Sequence, residues 1–141
     1  MTPRPLLVGI SGPSGSGKSH LADALLSRLG DAAGRLAHDA YYHDASHLPE
    51  DERASINFDH PDSLDNVLFA EHLASLAQGR EVGEPHYDFA SHSREPGVRT
   101  VRPAPVVLAE GILVLAVSAI AARLDLRVYV DTPLDVCLAR R

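Results

Sequence analysis

Gly12-Pro13-Ser14-Gly15-Ser16-Gly17-Lys18-Ser19 satisfies the pattern G-x-x-x-x-G-K-[ST] in full. Small residues let successive backbone N–H groups turn inward around phosphate oxygens. A helix beginning at Lys18 would add its free N–H groups and the positive end of its dipole. Lys18 then supplies a point charge for β- and γ-phosphates, and the Ser19 hydroxyl suits Mg²⁺. Two carboxylates complete the chemistry. Glu110 follows "VVLA" and is placed to act on the metal or its water. Asp39 follows "RLAH" and is a candidate base for an attacking hydroxyl in phosphoryl transfer.

These groups need elements to hold them. Leu6 to Ile10 reads as a short buried strand ended by Ser11 and Gly12. Lys18 to Leu29 reads as a helix, with Leu21, Ala22, Leu25, Leu26 and Leu29 on one face and Gly30 as its cap. Arg35 to His38 is a strand candidate leading to Asp39, and Ala45 to Asp59 reads as loop with a helical turn. Pro61 opens a second helix over Asp62 to Ala77, with Leu64, Val67, Leu68 and Leu76 inward. Glu81 to Pro105 alternates polar and aromatic residues, contains four prolines (Pro85, Pro96, Pro103 and Pro105), and reads as a hairpin or extended excursion. Val106 to Ala109 is a strand, Ile112 to Leu124 a mostly apolar helix, and Leu126 to Val130 a further strand. A last helix starts at Pro133 and runs to Arg141. Strands alternating with helices predict an α/β fold with a parallel sheet and helices on both faces.

The chain's 141 residues read as one domain, residues 1–141. Thirteen Lys and Arg against nineteen Asp and Glu give a net charge of −6, which argues against a nucleic-acid or membrane-surface binder. Any bound anion must therefore be held by a local site. Cys137 is the one cysteine, so no intrachain disulfide forms; it reads as a buried small apolar residue and fits a reducing cytoplasm. The N-terminal apolar run is too short for a signal peptide, and no 18-residue apolar span follows. His38, His43 and His47 match no compact zinc spacing. Between His38 and Asp65 lie eight acids and one base, Arg53. Such a segment repels an acceptor that already carries phosphate and suits a neutral polyol or nucleoside. The later Arg80, Arg94, Arg99 and Arg102 could serve a phosphate instead.

Six segments in order, the glycine loop with "HDAYY", "NFDHPDS", "PHYDFASHSR", "AEGIL" and "VDTPLDVCLARR", resemble the uridine kinase (uridine–cytidine kinase) family. The resemblance runs from Gly9 to Arg141. Phosphoribulokinases share the loop and general plan, but "YDFASHSR" looks like the nucleoside kinases. The resemblance implies a P-loop kinase using ATP and Mg²⁺, with the loop residues and Lys18 on the nucleotide and with Ser19 and Glu110 at the metal. It implies phosphorylation of the 5′-hydroxyl of uridine or cytidine in pyrimidine salvage. Asp39 would be the base, and Asp59 would grip the 2′- and 3′-hydroxyls. Tyr42, Tyr87 and Phe89 would pack around the nucleoside, His92 would bond the pyrimidine edge, and Arg94 would lie near it. The hairpin would then be a nucleoside-binding excursion. A homo-oligomer is a further implication. A kinase for another small hydroxylated metabolite, phosphoribulokinase-like, and a silent nucleotide-binding module remain the alternatives.

The chain departs from the family at its end. It stops at Arg140-Arg141, where the family continues into an arginine-rich lid, of which Arg141 would be the first residue. The expectation is therefore a truncated domain with an open sheet edge, weak Mg·ATP binding, and very slow transfer or none. His20 also stands where Thr or Ser is commoner.

Overall fold

The computed structural model describes residues 4–139. Four strands form a parallel sheet: β1 (Leu6–Ser11), β2 (Ala33–Ala37), β5 (Val106–Glu110) and β6 (Leu126–Tyr129), in the order β2-β5-β1-β6. A separate antiparallel hairpin is made of β3 (Val82–Asp88) and β4 (Ser93–Val101). The helices are α1 (Lys18–Leu29), α2 (Glu50–Ala54), α3 (Asn66–Ala77), α4 (Ser118–Ala121) and α5 (Leu134–Ala139).

Strand alternation explains how the sheet is covered on both faces. Val8, Ile10 and Leu108 pack with Ala22, Leu21, Leu25 and Leu26 of α1. Their neighbours Leu7, Val107, Ala109 and Leu36 join Phe69, Leu73 and Leu76 of α3 and Ile120 of α4 in a second, larger cluster. The register aligns Ile10 with Glu110 and Glu110 with Ala37. Three strands thus end in one row. The glycine loop, Glu110 and the approach to Asp39 meet at the carboxyl end of the sheet, where open α/β sheets bind ligands.

Three expectations are corrected. The segment from Ile112 to Leu124 is helical only over Ser118–Ala121, and turns occupy residues 112–117. Both ends of this segment are tied to β1: Ser11 Oγ donates to Ile112 O, and Asp125 N to Leu7 O. Ile112, Val114 and Val117 are β-branched, which weakens a helix there. The second helix begins at Asn66 rather than Asp62, because the Asp65 side chain accepts Leu68 N and caps it. Pro61–Ser63 forms a 3-10 turn ahead of it. Val67 points outward, at 70% exposure.

The hairpin is not a continuation of the sheet. Glu84 and Arg99 face each other across its two strands. Glu84 Oε2 accepts Ala37 N–H of β2 (2.9 Å), and Arg99 Nη2 donates to Arg35 O of the same strand (2.8 Å). At the hairpin's tip, Arg53 of α2 donates to Ser91 O, and Ala45 N to His92 O.

Candidate active site

The loop between β1 and α1 takes the shape its glycines allow. Gly15 and Gly17 adopt φ of 81° and 98°, a region that side chains rarely enter. A Cβ on Gly15 would sit 2.4 Å from Cys137 O, so α5 closes directly against the loop. Thr132 Oγ1 donates to Ser16 O (2.7 Å) and Ser16 N to Pro13 O (3.0 Å), fixing the turn. The Ser16 hydroxyl is buried and has no hydrogen-bond partner among the described residues. A compact turn with a spare buried hydroxyl, ahead of a twelve-residue helix, fits a phosphate group.

Ser19 Oγ donates to Glu110 Oε1 at 2.5 Å. Glu110 is 4% exposed and ends β5. The two are hard oxygen donors in contact, a set that suits Mg²⁺. No cluster of three or more His, Cys, Asp or Glu is assembled among the described residues. A magnesium ion here would complete its shell with nucleotide oxygens and water, its usual habit. Arg35 reaches over from β2 to Asp23 (2.6 Å) and Glu110 (3.4 Å).

Asp39 lies in a 3-10 turn (His38–Tyr41) directly after β2. The protein packed around its carboxyl, and then the charge of Glu110, raise it above the usual carboxylate range; Lys18 and Arg35 oppose the rise. Loop lysine, strand-end glutamate and Asp39 therefore lie within electrostatic reach of one another. Behind Asp39, His38 is 1% exposed, lies tilted against the Phe69 ring and bonds Asn66 Oδ1 through Nε2 (2.8 Å). Burial lowers its proton affinity.

Tyr42 joins the two acidic candidates. Its ring is 7% exposed and its hydroxyl donates to Phe58 O (3.0 Å), next to Asp59. Burial, then the charges of Asp39 and Asp59, push its phenol up to about 12. Around Tyr42 stand Phe58, Tyr87 and Phe89, with ring centroids at 5.1, 5.4 and 5.9 Å. Phe58 in turn stacks on His92 at 4.9 Å. Tyr87 Oη and His92 Nδ1 are buried without a hydrogen-bond partner among the described residues. His92 has φ of 53°, the one positive value among the non-glycine described residues.

Arg94 stands beside this cluster with its side chain engaged. It donates to Tyr42 O and Tyr41 O and pairs with Asp65 (3.4 Å). Arg99 is held by Glu84 and Arg80 by Gln78, so these arginines do not converge on one phosphate. Arg141 lies outside the described residues. Tyr41 is fully buried, with its hydroxyl 2.6 Å from His72 Nδ1. Sequence reasoning missed Arg35, Thr132, Phe58 and Glu84. For Glu84 a signal existed: it shares a strand face with Val82, and an acid two residues from an inward valine points inward as well.

A cavity of about 540 Å³ opens among Arg4, Pro5, Ala77 and Pro103, at the other end of the sheet. None of the loop residues or candidate acids lines it. No helix among the described residues is long and apolar enough to cross a membrane.

Comparison with known proteins gives the family. The sequence model of the Phosphoribulokinase / Uridine kinase family matches residues 7–141. A uridine kinase of Chloroflexus aurantiacus is 44% identical over 142 residues, spanning 100% of this chain and 68% of that protein. A uridine kinase of Clostridium perfringens is 42% identical over 139 residues, spanning 98% and 67%. The chain thus spans about two thirds of the length of these curated relatives. Among solved structures, a kinase provisionally assigned to a fructose transport system in Silicibacter sp. TM1040 superposes with a TM-score of 0.79 at 27% identity. That superposition covers 99% of this chain and 71% of the other.

Proposed function

Because this kinase belongs to the phosphoribulokinase and uridine kinase family, we propose that it transfers the γ-phosphoryl group of ATP to the 5′-hydroxyl of uridine or cytidine. The observation that carries the acceptor class is the pair of buried polar atoms without a partner among the described residues, Tyr87 Oη and His92 Nδ1, within an aromatic cluster beside Asp59. A flat base packs against Tyr42, Tyr87 and Phe89, and its polar edge satisfies those two atoms. A sugar phosphate would leave them without partners. It would also meet an acidic segment whose nearby arginines already have partners.

The glycine loop amides and Lys18 cradle the triphosphate. Ser19 and Glu110 hold Mg²⁺, which when bound supplies charge neutralisation on the phosphates. Asp59 accepts the 2′- and 3′-hydroxyls and so selects ribose, since its carboxylate is left unpaired when one hydroxyl is missing. Asp39 takes the 5′-hydroxyl proton as that oxygen bonds to the γ-phosphorus and ADP departs. Its raised proton affinity makes it a better base near neutral pH than an ordinary carboxylate. Arg94, held to the backbone of Tyr41 and Tyr42, fixes the cluster from behind.

The test is phosphoryl transfer from labelled ATP to uridine, cytidine, 2′-deoxyuridine, ribulose 5-phosphate, fructose and glycerate. Product from uridine or cytidine, with 2′-deoxyuridine much poorer, is the expected pattern. Transfer to one of the sugars or to glycerate overturns the acceptor reading, and ATP binding without transfer to any of them points to a silent module.

A further inference from the structure

The outer strand of a sheet offers N–H and C=O groups that need partners. On β2 those partners are side chains rather than another strand. Ala37 N–H donates to Glu84 Oε2 at 2.9 Å, and Arg35 O accepts Arg99 Nη2 at 2.8 Å. Arg99 Nε donates to Glu84 Oε1 at 3.1 Å, which closes the set. One carboxylate and one guanidinium thus copy the acceptor and donor that a neighbouring strand would supply. Both belong to one rung of the hairpin, where Glu84 lies opposite Arg99.

The location gives this contact its meaning. Ala37 is two residues before Asp39. Glu84 is three residues before Tyr87, on the strand that leads to Phe89 and His92. The pair therefore bolts the seat of the aromatic cluster to the strand end that carries the base. The Glu84 side chain is 8% exposed. A buried carboxylate contributes little to stability unless it is paired well, and apolar residues of similar volume often do as much. What the charged pair adds is direction: each group bonds both its partner and the β2 backbone, and two such bonds per group fix both distance and angle, which an apolar contact does not.

We propose that Glu84 and Arg99 are positioning residues for the acceptor site, holding the hairpin's aromatic groups at the distance from Asp39 that transfer requires. This rests on the reading of the hairpin as the acceptor's seat. The pair touches neither nucleotide nor acceptor and acts through Asp39 on one side and Tyr87, Phe89 and His92 on the other.

The experiment compares the whole chain with its Arg99→Met, Arg99→Lys, Glu84→Ala and Glu84→Gln variants. Calorimetry gives uridine and ADP affinities separately, and hydrogen exchange is followed over residues 85–93 and 17–29. In Arg99→Met and Glu84→Ala, uridine affinity should fall about tenfold, the weight of a lost charge-assisted bond. ADP affinity should stay within about twofold of the original, because the glycine loop is untouched. Exchange over 85–93 should quicken by about tenfold while 17–29 is unchanged. Arg99→Lys should recover part of both effects, since it restores charge without the fork. Glu84→Gln keeps the volume and an acceptor for Ala37 N–H, so it covers the case in which Glu84→Ala fails to fold. Unchanged exchange over 85–93, or uridine and ADP affinities falling together, overturns the proposal. If the original chain binds no uridine, the acceptor reading fails instead, and the exchange measurement still decides whether the pair anchors the hairpin.

Discussion

As the proposed base, Asp39 would have to be ionised in a place that disfavours ionisation. Its surroundings and the charge of Glu110 raise its proton affinity above the ordinary value of 3.8. By linkage, an acid whose titration moves up on folding penalises the folded state once both forms of the chain have ionised it. Asp39→Asn should then do two things at pH 7. It should lower kcat by roughly 10²–10⁴, the usual worth of a general base, and it should raise Tm. The Tm difference should vanish as pH falls below the ordinary carboxylate range, where neither chain ionises the group. Thermal unfolding at pH 7 and pH 3 (about the lower end of that range) checks it, and a lower Tm for the variant at pH 7 refutes it. Asp59→Ala should instead raise the nucleoside KM and narrow the preference for ribose over 2′-deoxyribose. Identical kinetic profiles for the two variants would contradict the separate roles. Both acids were legible as candidates, Asp39 because it follows a strand end and Asp59 through a family motif. Arg35 was not legible. Nothing in "AGRLAH" says that an arginine in mid-strand reaches the last residue of a strand 75 positions away, because that depends on strand order, and no strand order was read from the sequence.

The glycine loop is an element whose tolerance is set by a neighbour distant in sequence. Gly15 has φ of 81°, and α5 carries Cys137 O to within 2.4 Å of where its Cβ would be. Gly97 has a similar φ of 94° with nothing within 4 Å. Gly97→Ala should cost only the backbone strain, on the order of 1 kcal/mol. Gly15→Ala adds a collision with main chain and should both unfold earlier and lose nucleotide affinity. Equal Tm values for the two variants would show that α5 does not brace the loop. The loop and its flanking elements were readable because pattern, glycine spacing and helical periodicity agree there. The hairpin was one of the two readings, hairpin or extended excursion, that its alternation and prolines allowed. The stretch after Gly111 was misread for a reason that composition conceals. "ILVLAVSAIAARL" is as apolar as a helix core, but its course is dictated by the ties to β1 at Ile112 and Asp125. Apolar content reports burial, and Val114, Ile120 and Leu124 are indeed buried, but it does not report conformation.

The sheet formed by the described residues has two different margins. At β2 the outward backbone groups are satisfied by Glu84 and Arg99, and the chain around Arg102 and Ala104 lies against Gly34. The exposed hairpin strand β4 carries Glu95, Pro96 and Gly97, which pair poorly with another strand. At β6 the ladder stops. Among the described residues it pairs with β1 alone, and Leu126 and Tyr129 are 50% and 58% exposed beside the outward Leu134 and Leu138. A unit with one adhesive margin has a valence of one. Two such units can join margin to margin and are then saturated, whereas filaments need a valence of two. Sedimentation across a wide concentration range should therefore show monomer and dimer and then stop. Leu126→Lys, at an exposed position of β6, should shift that equilibrium to monomer, whereas a graded series of ever larger species would mean that the β2 margin is not sealed.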